Sequence, residues 1–366
     1  MLNVGVLYGG RSGEHDVSRC SAASVIKCLD KSRYKVTAIG IDRDGRWHVQ
    51  ETPEIIQDKD FGSVLKLNKT GDWYVNHYER ERKLYLFNAR TGKEVNVDVV
   101  FPVVHGTFCE DGTLQGLLEL AMVPYVGADV IGSAIGMDKD VAKRLLRDAG
   151  IPVVDWIMIP RYQWNTSKKN LMDKILNKIN FPCFIKPCNA GSSVGISKVK
   201  NPESLEQAIE NAFEWDNKIL VETGINAREI EFSVIGNDRP ESSVPGEIRP
   251  SYEFYSYEAK YIDSKGADLF IPADIDTELA DKMKKTAVDG YSALCCKGMA
   301  RVDFFLEKES RRYYLNEINT LPGFTNISMY PKLWGKTGVD YSALLDRLID
   351  LAMERSADKN RLKTEF

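Results

Sequence analysis

No stretch of the 366 residues is an apolar run approaching the ~18–20 needed to cross a bilayer, so no membrane-spanning helix is predicted. The first residues lack the basic n-region of a secretory leader and read as a strand, and the expectation is a protein of the cytoplasm. A basic excess is missing too. The 49 Lys and Arg against 53 Asp and Glu leave a net charge of -4, without the positive footprint that nucleic-acid binding requires. Seven cysteines (Cys20, Cys28, Cys109, Cys183, Cys188, Cys295 and Cys296) are odd in number and never spaced C-x-x-C. They outline neither a disulfide framework nor a zinc site, and read as reduced thiols acting as small apolar residues. Internal repeats and low-complexity tracts are absent.

What is present is an ordinary soluble composition, 43% hydrophobic and 28% charged, long enough for two or three folded units. Residues 4–8 form a short apolar run closed by Gly9-Gly10-Arg11-Ser12-Gly13, with a helix predicted over 16–29. Residues 36–41 and 97–104 read as buried strands and 114–121 as another helix, so the alternation predicts an α/β domain with a parallel sheet. Residues 51–96 give mixed signals and read as a hairpin-bearing insertion. Residues 138–148 form a charged helix stopped by Gly150 and Pro152, and Leu171, Ile175 and Ile179 keep helical spacing. Short strands follow over 183–186, 196–199, 218–222 and 229–235. One long helix late in the chain is predicted over 277–294, then strands over 300–306 and 313–318. Grouped strands of this kind predict α+β subdomains.

The most informative segment pairs Arg301-Val302-Asp303-Phe304-Phe305 with Leu315-Asn316-Glu317-Ile318-Asn319. Strand side chains alternate, so Arg301 and Asp303 share one face, as do Glu317 and Asn319. A hairpin centred on Ser310 sets Asp303 opposite Glu317, with Cβ atoms ~5 Å apart. Two carboxylates and an amide there make a hard-oxygen site suited to Mg²⁺, which protein sites commonly hold with one or two carboxylates plus phosphates. Without a cation the opposed acids would repel. Arg301 cannot ligate a metal, and its fork suits developing negative charge beside one.

Lys186-Pro187-Cys188-Asn189-Ala190-Gly191-Ser192-Ser193-Val194-Gly195 joins two strands. Its backbone N–H groups and hydroxyls could cradle a phosphate, yet no G-K-[ST] leads into a helix, so it is not a P-loop. Lys139, Lys186 and Lys260 supply the point charges a triphosphate needs. The turn at 9–15 lies at the carboxyl edge of the predicted sheet, where ligands bind, but it does not match G-x-G-x-x-G. Glu14 there suits either an ammonium group or the helix dipole, and His15 and His105 taken singly suit structural roles.

Together these segments resemble the D-alanine–D-alanine ligase family across nearly the whole chain. The matching stretches are GGRSGEHDVS (9–18), HGTFCEDGTLQG (105–116), MDKDVAKRLL (137–146), FIKPCNAGSSVG (184–195), YEAKY (257–261), ARVDFF (300–305) and NEINTLPGFTNIS (316–328). The resemblance implies a parallel-sheet, Rossmann-like α/β domain over 1–137, then a two-subdomain ATP-grasp fold over 138–222 and 223–358. It implies ligation of two D-alanine molecules through an acyl phosphate, forming ADP and phosphate, for peptidoglycan and the cell wall. Glu14 would bind the ammonium of the first D-alanine, and His105 would lie in the substrate site. Ser192 and Tyr261 would latch a mobile loop, roughly residues 252–273, over the site. Lys139, Lys186, Ser193, Lys260 and Asn316 would serve ATP, with Glu222, Ile225 and Glu229 at the adenine edge and ribose and Phe305 packed on the base. Asp303, Glu317 and Asn319 would hold two Mg²⁺ ions, for which Mn²⁺ could substitute. Gly323 and Ser328 would receive the second D-alanine's carboxylate, and Arg301 would stabilise the oxyanion. The family implies a homodimer with no nucleic-acid or membrane partner. Cys109 departs from the glycine that members commonly carry before Glu-Asp-Gly. Tyr261 favours an amine over lactate as acceptor, and the nearest rival is a ligase of the same group that uses D-serine or D-lactate. A nicotinamide-dependent dehydrogenase leaves the Asp303, Glu317 and Asn319 set unexplained, and the intact metal and lysine positions weigh against a catalytically silent sensor of nucleotide or amino acid.

Overall fold

A computed structural model describes residues 1–76, 81–250 and 266–363. The first apolar run becomes strand β1 (Leu2–Gly9), buried from Val4 onward. Helix α1 (His15–Cys28) carries the chain over to β2 (Tyr34–Ile41), parallel to β1, the kind of crossover a parallel pair requires. The insertion settles largely as strands. β3 (Trp47–Gln50) pairs antiparallel with β2, while β4 (Ile55–Asp58) and β5 (Gly62–Leu65) form a separate hairpin. Three more strands, β6 (Trp73–Asn76), β7 (Leu84–Asn88) and β8 (Glu94–Val97), extend the sheet antiparallel.

β9 (Val99–Pro102) then runs parallel to β1 on its free side. The single strand predicted over 97–104 is therefore two strands. Asp98 makes the break, its N–H donating to the Asn3 carbonyl (2.8 Å) and its Oδ2 accepting from the Asn3 N–H (2.7 Å). The predicted parallel sheet is the β2–β1–β9 part of a seven-stranded mixed sheet. Its ends curl toward each other. Gly5 makes room for that, since a Cβ there would lie 2.9 Å from Val97 Cγ2.

Helices α2 (Thr113–Leu120), α3 (Val130–Met137) and α4 (Lys139–Asp148) lead onward. Asp138 caps α4 by accepting from the backbone N–H groups of Asp140 (3.2 Å) and Val141 (3.1 Å). A second, antiparallel sheet runs β10 (Trp156–Pro160), β13 (Lys218–Thr223), β11 (Cys183–Pro187), β12 (Ser197–Val199). Helices α5 (Arg161–Lys178) and α6 (Leu205–Phe213) cover it through Trp164, Ile175, Ile209 and Phe213.

The third sheet contains β14 (Ala227–Gly236), β15 (Glu241–Ser242), β16 (Gly246–Pro250), β17 (Ala267–Phe270), β18 (Gly298–Glu307) and β19 (Tyr313–Asn319). Helix α7 (Thr277–Ala293) packs Met283, Ala287 and Tyr291 against it. The prediction of one long late helix is corrected, because α8 (Met329–Thr337) and a longer helix, α9 (Tyr341–Lys359), follow. Leu344, Leu345, Leu348, Ile349 and Ala352 form one buried stripe on α9. That stripe joins the core of the N-terminal sheet, so the end of the chain packs against its beginning.

Candidate active site

β14, β18 and β19 lie side by side. Their register places Glu231 opposite Asp303 and Asp303 opposite Glu317, with Ser233, Arg301 and Asn319 in the adjacent row. Three carboxylates thus form one line across three strands. Like charges directly opposite are destabilising unless a cation intervenes. Arg301 intervenes here: Nε donates to Asp303 Oδ1 (2.8 Å), Nη2 to Asp303 Oδ2 (2.6 Å), and Nε lies 3.0 Å from Glu231 Oε2. Burial opposes its charge, but Asp303 and Glu231 outweigh that and hold the guanidinium well above its ordinary pKa. Asn319 Nδ2 also donates to Asp303 Oδ2 (2.9 Å), and Lys139 Nζ stands 4.0 Å from Glu317 Oε2.

The predicted pairing of Asp303 with Glu317 holds, but the ladder shifts by one residue between Asp303 and Phe304, which faces Leu315. Asn316 is the extra residue of a β-bulge. The bulge explains why Leu315 and Ile318 are buried three positions apart while Asn316, Glu317 and Asn319 line the cleft. The donor set fits Mg²⁺. Among the described residues no three His, Cys, Asp or Glu side chains gather into a closed metal cage. Two hard carboxylates beside an amide suit an ion that takes its remaining ligands from phosphate and water.

Lys143, Lys186 and Glu222 form a buried lysine–glutamate cluster. Lys186 Nζ is 2.5 Å from Glu222 Oε1, and Lys143 Nζ is 2.7 Å from Glu222 Oε2. Burial would raise the Glu222 pKa, but the two lysines overcome it and bring it from 4.5 down to about 2. Unfolded chains therefore take up this proton first as pH drops. Glu222's contribution to stability is complete above pH 4.5 and is lost as pH falls toward 2, while burial keeps the Lys143 pKa below its ordinary value despite Glu222. Urea titrations from pH 6 to 3 should find a steep loss of stability in the wild type and a shallower one in Glu222→Gln. At neutral pH, Glu222→Ala should cost ~3–5 kcal/mol, because it strands two buried ammonium groups.

The glycine loop between β11 and β12 closes on the N-terminal turn. Ser192 and Ser193 adopt left-handed backbone, with φ of 48° and 61°. Ser192 Oγ donates to Glu14 Oε1, and a Cβ at Gly191 would lie 3.1 Å from Glu14 Oε2. Lys139 Nζ donates to the Ala190 carbonyl (2.7 Å) from below. His105 Nδ1 donates to the Leu321 carbonyl (3.0 Å) and lies 3.8 Å from Glu110 Oε1. Burial would lower the His105 pKa, yet Glu110 and Glu14 hold it above its ordinary value. At the far wall a Cβ on Gly323 would come 2.8 Å from Ser328 Oγ, which also bonds Thr325 Oγ1 (2.7 Å). All of these groups line one cleft of about 1550 Å³, well beyond the ~300–1,000 Å³ typical of a site for one small ligand.

A family model described as the D-ala D-ala ligase N-terminus matches residues 3–128, and one for the C-terminus of the same ligases matches 145–350. The chain belongs to the D-alanine–D-alanine ligase family. A D-alanine–D-alanine ligase A from Escherichia coli K12 is 47% identical over 365 residues, covering 99% of both chains. The solved D-alanine–D-alanine ligase of Coxiella burnetii superimposes with a TM-score of 0.81 at 35% identity, over 98% of this chain and 96% of that one. VanG D-Ala:D-Ser ligase from Enterococcus faecalis gives 0.82 at 35%, over 96% and 99%.

The cleft brings together Glu14, His105, Lys139, Lys186, Ser192, Ser193, Glu222, Ile225, Glu229, Arg301, Asp303, Phe305, Asn316, Glu317, Asn319, Gly323 and Ser328, all singled out in the sequence. Lys260 and Tyr261, with most of the loop predicted as a lid over 252–273, lie outside the described residues. Sequence reasoning missed Glu231, Glu110 and Lys143. Glu231 was legible, since it stands two residues from Glu229 on the same strand face. Lys143 is four residues beyond Lys139 on one helix, a spacing that puts both on the same side. In the turn that carries Cys109 the left-handed residues are Gly106 (φ 78°), Phe108 (φ 65°) and Gly112 (φ 88°), and Cys109 packs into the core.

Proposed function

We propose that the chain joins two D-alanine molecules into D-alanyl-D-alanine with ATP, forming ADP and phosphate for peptidoglycan synthesis. The observation that carries this reading is the carboxylate row of β14, β18 and β19 with Arg301 set into it, facing a cleft shared with the glycine loop. A carboxylate is a poor acyl donor, so the first D-alanine would be activated as an acyl phosphate. Lys139 and Lys186, with Lys260 and Ser193, would hold the nucleotide's phosphates; Asn316 also lines that part of the cleft. Glu222, Ile225 and Glu229 would contact adenine and ribose. Phe305, whose ring centroid lies 5.7 Å from Lys186 Nζ, would pack on the base. Asp303, Glu317 and Asn319 would hold two Mg²⁺ or Mn²⁺ ions, whose chemistry is to neutralise charge on the transferring phosphoryl group.

Glu14, fixed by Ser192, would take the ammonium of the first D-alanine, with His105 beside it. Gly323 and Ser328 would receive the carboxylate of the second. Arg301 would stabilise the tetrahedral oxyanion that forms when its amine attacks. Tyr261 would latch the loop that keeps water from the acyl phosphate. We further propose folded units over 1–137, 138–222 and 223–358, a homodimer and a cytoplasmic location; no helix of the described residues is long and apolar enough to cross a membrane.

ADP release with ATP and D-alanine, against L-alanine as control, tests the reading. Release only with D-alanine, with a product of dipeptide mass, is expected. Equal release with L-alanine, or none with either, would overturn it. Parallel incubations with D-serine and D-lactate should yield far less mixed product.

A further inference from the structure

Glu231 has no part in the ligation scheme above, although it completes the row of acids. Both acids line the cleft, but the Glu231 side chain on β14 is 6% exposed, while that of Asp303 on the neighbouring strand retains 13%. Of the two, Asp303 is the acid a cation from solution would reach. In this arrangement, however, Arg301 takes both Asp303 oxygens, and Asn319 donates to one of them. A divalent ion drawing on Asp303 must loosen a bidentate guanidinium, and a half-buried guanidinium cannot be left without an anion. Glu231 already stands 3.0 Å from Arg301 Nε, on a strand outside the β18–β19 hairpin.

We propose that Glu231 is a positioning residue: it holds Arg301 in place when Asp303 turns its carboxylate to the metal. It touches neither substrate nor metal and acts through Arg301. This rests on the proposed metal site but not on the identity of the acceptor.

Full-length wild type and Glu231→Gln, titrated calorimetrically with Mn²⁺ in the presence of a non-hydrolysable ATP analogue, test the inference. Glu231→Gln should weaken Mn²⁺ binding ~10-fold or more, the scale seen when a group behind a metal ligand is removed. Binding of the analogue without metal should stay as in wild type. Repeating the substitution in an Arg301→Met background closes a double-mutant cycle, and there it should cost nothing further. Unchanged Mn²⁺ affinity, or a loss that persists with Met at 301, would overturn the proposal. Glu231→Asp keeps the charge at shorter reach and should lose an intermediate amount; it carries the same test should the glutamine variant not fold. Because the readout is metal binding, a chain that fails the dipeptide assay yet shows this pattern would refute the ligase reading and leave the role of Glu231 standing.

Discussion

Glu317→Gln should abolish Mg²⁺-dependent turnover while leaving the fold intact. The substitution keeps the shape and one oxygen donor of the side chain and removes its charge. The proposed hairpin set would fall from two carboxylates to one, and Mg²⁺, which gives up its water reluctantly, would lose a ligand that compensates for dehydration. In the folded protein the Glu317 side chain is 32% exposed, and Lys139 stands 4.0 Å from it. It also faces Asp303 across the ladder. Opposed carboxylates are worth a repulsion of ~0.2–1 kcal/mol, so removing one should not lower stability in a chelator. Turnover and melting temperature should therefore part company, the first vanishing at the Mg²⁺ level that saturates wild type and the second holding in EDTA. Full activity at the same Mg²⁺ concentration would contradict the hairpin site. A parallel collapse of both would assign Glu317 a structural role instead.

The reason this side chain could be picked out before any fold was known is local. Period-two alternation over 301–305 and 315–319 is short-range information, and it carried the opposition of Asp303 and Glu317 without help from tertiary structure. The one-residue shift beyond Asp303 was also inscribed, since apolar Leu315 and Ile318 are three apart where a regular strand would space them by two. What stayed hidden depends on partners far along the chain. Lys143 reads as one more cation of a charged helix, and only the fold turns it inward to meet Glu222 on β13. The break at Asp98 answers to Asn3 at the other end of the domain. The stripe on α9 has ordinary helical spacing and could have been read, but its docking partner is the N-terminal sheet, which no local pattern indicates. Glu231 was passed over for another reason. Its β-strand was recognised, but only Glu229 was matched to a family role, and the face the two share was not followed one step further.

Arg301→Ala should lower kcat by ~10²-fold or more, the scale associated with removing one oxyanion donor. ATP binding should stay nearly intact, because Lys139 and Lys186, proposed to hold the phosphates, lie on α4 and β11. The row of acids makes the variant more informative than a simple loss of activity. Arg301 lies within 3.0 Å of both Glu231 and Asp303. Its removal leaves Glu231 buried without that counter-charge, and a broken pair of this kind costs ~3 kcal/mol, the low end of the range for buried pairs since Arg301 is partly exposed. Asp303, released from the guanidinium fork, is freer to accept a cation. Metal affinity should consequently hold or tighten while kcat and stability fall. Arg301→Lys separates the two effects. It restores a charge between the acids but not a planar fork with two parallel donors, so stability should recover more fully than kcat. An alanine variant with wild-type kcat would remove Arg301 from the chemistry. A lysine variant that recovers kcat completely would reduce its part to charge alone.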